Sequence, residues 1–132
     1  MSEQTRKTIL IVDDEPDVTA YLKAFFEDNG YRAITAFDGK EGFDKARAER
    51  PDLITLDITM PEESGVRMFR DLQADEATAS IPVVMITGVS PEFKRFIETR
   101  RQVRPPEAYF EKPIDRDELL AKVNEILSAR PS

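Results

Sequence analysis

Five short apolar runs alternate with five stretches of helical periodicity along this chain, and that ordering restricts its fold more than any other feature. The runs at 8–12, 33–37, 53–56, 83–86 and 108–110 are too short for buried helices and read as strands. Between them Val18, Tyr21, Leu22, Phe25 and Phe26 recur at helical spacing. Pro16 suits the first turn of that helix, with Asp14 or Glu15 placed to cap it, and Asn29-Gly30 stops it. A second helix is expected over 41–49 with Phe43 and Ala46 inward, and a third over 65–74 with Val66, Phe69 and Leu72 inward. A fourth is expected over 91–103, carrying Phe93, Phe96 and Ile97 and forbidden to continue by Pro105-Pro106. Asp115 caps the fifth, whose inner face presents Leu119, Leu120, Val123, Ile126 and Leu127. Regular alternation of this kind predicts a parallel sheet with helices on both faces, joined by right-handed crossovers.

At 132 residues the chain is expected to form one domain. It has no Cys and no His, which excludes disulfides, thiolate catalysis, zinc sites and imidazole bases. Chemistry is left to carboxylates, hydroxyls, Lys and Arg. A net charge of −7 argues against nucleic-acid binding by the domain as a whole. No apolar run reaches membrane-spanning length and no signal peptide is visible, so a cytoplasmic protein with no membrane contact is expected.

The strand ends carry the functional signal. In open α/β sheets, ligands bind beyond the carboxyl ends of the strands at the topological switch point. Here the first strand ends in Asp13-Asp14, the third in Asp57, the fourth in Thr87 and the fifth in Lys112. Only the second ends in an inert residue, Phe37, as suits an edge strand away from the crevice. Each residue alone has a plainer explanation: a cap, a turn, a surface lysine. Together they form a site. Crowded carboxylates repel, and a hard divalent cation with oxygen ligands removes the conflict. Lys112 adds a fixed positive charge and Thr87 a hydrogen-bond donor. An Asp in such company can attack a phosphoryl group and hold the acyl phosphate, and the reaction needs positioning and charge more than it needs a histidine.

On these residues the chain resembles the receiver domains of two-component response regulators, with the flavodoxin-like architecture of the single-domain chemotaxis regulator. The resemblance covers roughly residues 7–128, which makes 1–132 a single receiver domain with no effector domain expected. It implies a doubly wound five-stranded parallel sheet of order 2-1-3-4-5 with five helices. It also implies that Asp57 is the phosphoacceptor and that Mg²⁺ (or Mn²⁺) is held by Asp13, Asp14, Asp57 and the backbone carbonyl of Thr59. Thr87 matches the switch hydroxyl, Lys112 the partner of the phosphoryl group and Tyr109 the switch aromatic. Pro113 matches the proline that the family joins by a cis peptide. The implied partners are a sensor histidine kinase or phosphotransfer protein upstream. Downstream stands an unidentified output protein, or a second copy, on the face of the fourth helix, fifth strand and fifth helix. The domain would catalyse only its own phosphorylation and dephosphorylation. The alternative is a pseudo-receiver, an interaction module that works without phosphorylation; intact Asp13, Asp14, Asp57, Thr87 and Lys112 argue against it.

Three features depart from the family pattern or add to it. Glu62-Glu63 follow Met60-Pro61, where the family commonly has a small and then a hydrophobic residue. Thr59 and Val89 stand at two positions that tune hydrolysis of the phosphoryl group. Between Ser90 and Pro106, Lys94, Arg95, Arg100, Arg101 and Arg104 face only Glu92 and Glu98, a basic stripe expected to help dock an acidic partner or a second receiver.

Overall fold

The structure, a computed structural model, describes residues 6–58, 64–87, 107–112 and 114–129, with Ser64 and Thr87 described by backbone alone. Five strands and four helices lie within these residues. In chain order they are β1 (Thr8–Val12), α1 (Pro16–Asp28), β2 (Arg32–Ala36), α2 (Gly39–Glu49) and β3 (Leu53–Asp57). Then come α3 (Ser64–Ala74), β4 (Val83–Thr87), β5 (Ala108–Glu111) and α4 (Arg116–Ala129). The helix expected over 91–103, and with it the basic stripe, falls outside the described residues.

All strand pairs are parallel, in the order β2-β1-β3-β4-β5, so the chain reverses direction of travel across the sheet at β1 and β3. Alternation along the strands sorts side chains into two cores. Leu10, Val12, Ile54, Leu56, Val83 and Met85 pack with Ala46, Met68, Phe69 and Leu72 beneath α2 and α3. Ile9, Ile11, Leu53, Val84 and Ile86 pack with Leu22, Phe26, Leu119, Val123 and Leu127 beneath α1 and α4. All five residues of β3 are buried, the uncharged run 53–56 as expected and Asp57 with it.

Local chemistry sets the helix starts. Asp38 caps α2: its Oδ1 accepts from Glu41 N at 2.7 Å, while Glu41 Oε1 accepts from Phe37 N at 2.7 Å. These two bonds start the helix at Gly39, two residues before the periodicity implied. Asp115 Oδ1 accepts from the amides of Asp117 and Glu118 and caps α4 as expected. The expected carboxylate cap on α1 does not form. Glu15 occupies the cap position with no side-chain hydrogen bond to the helix, because its carboxylate is engaged elsewhere. Tyr21, expected inside, is 48% exposed and stacks on Phe25 at the surface.

Candidate functional site

Asp13 and Asp57 continue the strand faces that carry Ile9 and Ile11 on β1 and Leu53 and Thr55 on β3. Period-two alternation therefore aims both carboxylates to the α1/α4 side, just where the sheet ends. Both are only 2% exposed. Lys112 follows β5 and lies on the same side of its strand as Ala108 and Phe110, which pack into that core. From there its ammonium reaches across β4. Lys112 Nζ lies 3.1 Å from Asp57 Oδ2, 3.2 Å from Asp13 Oδ2 and 3.1 Å from Glu15 Oε1. The contacts to Asp57 and Glu15 are hydrogen bonds; the pairing with Asp13 is ionic, leaving Asp13 Oδ2 buried without a hydrogen bond.

The sheet register fixes this meeting. Asp57 pairs with Ile86 on β4, and Thr87 pairs with Glu111, the residue before Lys112. The backbone beneath Asp57 is held as well. Ile58 N donates to Ile86 O at 3.1 Å, and Gly65 at the start of α3 abuts the Asp57 carbonyl so closely that a Cβ there would lie 2.5 Å from it. On β1 the turn after the strand is clamped by Asp13 itself, whose Oδ1 accepts from Glu15 N at 2.9 Å.

Charge is unbalanced in this crevice. Asp13, Asp14, Glu15 and Asp57 each offer an oxygen, all within 4.8 Å of one another, against Lys112 as the one cation paired with them among the described residues. Burial pushes the Asp13 carboxyl up to about 6, and the charge of Asp57 adds to the rise, while the Glu15 amide and Lys112 oppose it. Burial alone would lower the Lys112 ammonium; hydrogen bonds to Asp57 and Glu15, with the charges of Asp57 and Asp13, raise it above its ordinary value instead. An oxygen-only donor set with a carboxylate that burial disfavours as an anion fits a hard divalent cation. It offers no nitrogen or sulfur ligand for a softer one.

These are the residues singled out by sequence: Asp13, Asp14, Asp57 and Lys112 converge. Tyr109 does not join them. It is 38% exposed, beside Met85 in register and on the opposite face of β5 from Phe110. Thr59, the Thr87 side chain, Pro113 and Val89 lie outside the described residues. Sequence reading missed Glu15 as a partner of Lys112. The signal was a third consecutive acidic residue at the end of β1, one more than a helix cap or a cation pair needs.

A model of the response regulator receiver domain matches residues 9–124. The chain belongs to that family. As a receiver domain it is 36% identical over 120 residues to protein PilH of Pseudomonas aeruginosa, covering 91% of this chain and 97% of PilH. It is 35% identical over 121 residues to the alkaline phosphatase synthesis transcriptional regulatory protein PhoP of Bacillus subtilis, covering 92% of this chain and 48% of PhoP. The receiver domain thus spans nearly all of one relative and about half of the other. Among solved structures, a CheY-like receiver domain protein from Methanospirillum hungatei superposes with a TM-score of 0.83 at 29% identity, covering 94% of this chain and 95% of that one. The chemotaxis protein CheY4 of Vibrio cholerae gives 0.79 at 26% identity, covering 92% and 99%. The five-stranded parallel sheet is therefore the flavodoxin-like fold of CheY-like receivers. Receiver domains are signalling modules of two-component systems that accept phosphoryl groups from histidine kinases. Among the described residues, no helix is long and apolar enough to cross a membrane.

Proposed function

We propose that Asp57 is the residue phosphorylated in this receiver domain and that a histidine kinase or phosphotransfer protein is the donor. One observation carries the reading: Lys112 Nζ stands 3.1 Å from a carboxylate oxygen of Asp57, a residue only 2% exposed yet at the open end of β3. An Asp57 oxygen attacks phosphorus, a P–O bond forms as the donor's P–N bond breaks, and the electron pair leaves with the donor nitrogen. Water reverses the modification by attacking the same phosphorus and releasing inorganic phosphate. Lys112 meets negative charge on the phosphoryl oxygens without giving up a proton, which suits its raised affinity for one. Asp13, Asp14 and Asp57, with the Thr59 carbonyl, would hold Mg²⁺ (or Mn²⁺). When bound, that cation neutralises the carboxylates and polarises the transferred group. By the family resemblance, Thr87 supplies the hydroxyl that follows the phosphoryl group, and Tyr109, on β5, the aromatic that reports it to the outer face. Output is then a population shift that the phosphoryl group drives by contacting one state better than the other.

Incubation with a small phosphodonor and Mg²⁺, followed by intact mass, is expected to add one phosphoryl group to the wild type and none to Asp57→Asn. Uptake by Asp57→Asn at the wild-type rate overturns the assignment. Uptake unchanged by a chelator overturns the metal requirement.

A further inference from the structure

We propose that Glu15 is a positioning residue that competes with the phosphoryl group for Lys112 and thereby shortens the life of the phosphorylated state; this rests on the reading of Asp57 given above. A lysine ammonium has three donors. In the resting crevice Glu15 and Asp57 each accept a hydrogen bond from it, and it is ion-paired with Asp13 Oδ2 at 3.2 Å as well. A phosphoryl oxygen can meet Lys112 fully only if one carboxylate lets go. Asp13 and Asp57 are 2% exposed, so releasing either strands a charge away from water. The Glu15 side chain is 60% exposed and is rehydrated as it leaves. It is the partner that yields.

The local backbone shows that Glu15 is committed to this contact. It sits at the cap position of α1 in extended conformation (φ −95°, ψ 112°), where a short polar side chain would turn back onto the helix amides. Its own carboxylate makes no such bond and extends across to Lys112, 97 positions later in the chain. Its amide is pinned by Asp13 Oδ1, which fixes the direction of departure. Glu15 therefore stabilises the resting state, in which it holds Lys112, over the phosphorylated one.

The test compares wild type, Glu15→Gln and Glu15→Asp, each also in a Lys112→Met background. Phosphoryl loss from Asp57 after donor removal is followed by intact mass. Affinity for the fluoroberyllate anion, a stable phosphoryl mimic, is measured by calorimetry with Mg²⁺ present. Removing an exposed ion-pair partner changes such a competition by about 1.5- to 5-fold. Glu15→Gln is expected to lose the phosphoryl group that much more slowly and to bind the mimic that much more tightly. Glu15→Asp keeps the charge but is shorter by one methylene, so it is expected to behave like Glu15→Gln. In the Lys112→Met background all three residues at position 15 are expected to give one rate. If Glu15→Gln changes the rate by the same ratio with and without Lys112, the effect is bare repulsion of the phosphoryl group and the proposal is overturned. So would a Glu15→Asp chain that matches wild type overturn it. If the wild type takes up no phosphoryl group, the Asp57 reading fails and takes this one with it. Normal uptake with no effect at position 15 sinks the present proposal alone.

Discussion

Both faces of the sheet are buried, yet they are built to different ends. On the α2/α3 side the buried strand residues Leu10, Val12, Ile54, Leu56, Val83 and Met85 are all apolar. On the α1/α4 side the same alternation begins with Ile9, Ile11 and Leu53 and changes character within two steps, to Thr55, Asp13 and Asp57. The first face contributes stability without conflict. The second gives up some of that stability to hold like charges together in the absence of a cation. Thr55, with a buried hydroxyl that makes no hydrogen bond, marks the transition between them. A one-residue slip of β3 would exchange the two faces, which is why its register to both neighbours must be tight.

Substitutions can break this contrast. Leu56→Ala, on the apolar face, is expected to have the largest effect, a loss of about 2–5 kcal/mol in chemical denaturation, because a fully buried side chain leaves a cavity. Its Mg²⁺ affinity should stay unchanged if the faces are independent; a parallel loss of affinity would show that they are not. Gly65→Ala should follow, at about 1–3 kcal/mol. Its Cβ would meet the backbone of Asp57 and Ile58 at 2.5 and 2.8 Å, and backbone there cannot yield without moving the phosphoacceptor. Slower phosphorylation by a small donor is expected alongside, and a normal rate would separate the packing role of Gly65 from positioning.

Asp13→Asn should invert the sign. The folded-state pKa of Asp13 lies near 6 against 3.8 unperturbed, so its contribution is favourable below pH 3.8 and lost as pH rises through 6. With metal chelated at pH 7 and above, Asp13→Asn is expected to melt higher than wild type by an amount of order 1 kcal/mol, the loss of the Lys112 pairing offsetting part of the gain. Toward pH 4 the advantage should vanish, and saturating Mg²⁺ should reverse it. An Asp13→Asn chain less stable than wild type at pH 8 without metal would mean that Lys112 already balances the cluster. Gly42→Ala should matter least, within about 1 kcal/mol of wild type, since gain in helix propensity opposes overpacking. Its Cβ would meet the Met68 side chain at 2.7 and 2.9 Å, and a thioether can swing aside where the backbone near Gly65 cannot.

The described elements and their order were legible in the sequence because each depends on neighbours along the chain. Apolar runs of three to five residues, Pro16 at the first turn of α1, Asn29-Gly30 at its end and the Asp115 cap are local signals, and all appear where expected. Boundaries were less legible where side-chain caps decide them, as Asp38 and Glu41 do for α2 by accepting from the amides of Glu41 and Phe37. Of the site, the residue types at the strand ends identified Asp13, Asp14, Asp57 and Lys112, since parallel strands place such ends together whatever the details.

What the chain order could not decide is which charge meets which. Three carboxylates share one ammonium only because β5 lies two strands from β3 and three from β1, and the ladders set Phe110 level with Asp57, so that Lys112, two residues on, reaches back to Asp57 and Asp13 from beyond the sheet end. Glu15 reads locally as a helix cap, and only the arrival of Lys112 from 97 positions away turns it outward. Tyr21 reads as core by its spacing, yet it lies at the surface, stacked on Phe25. Periodicity is a property of the segment, whereas burial and ion pairing depend on distances that exist only once the segments have packed.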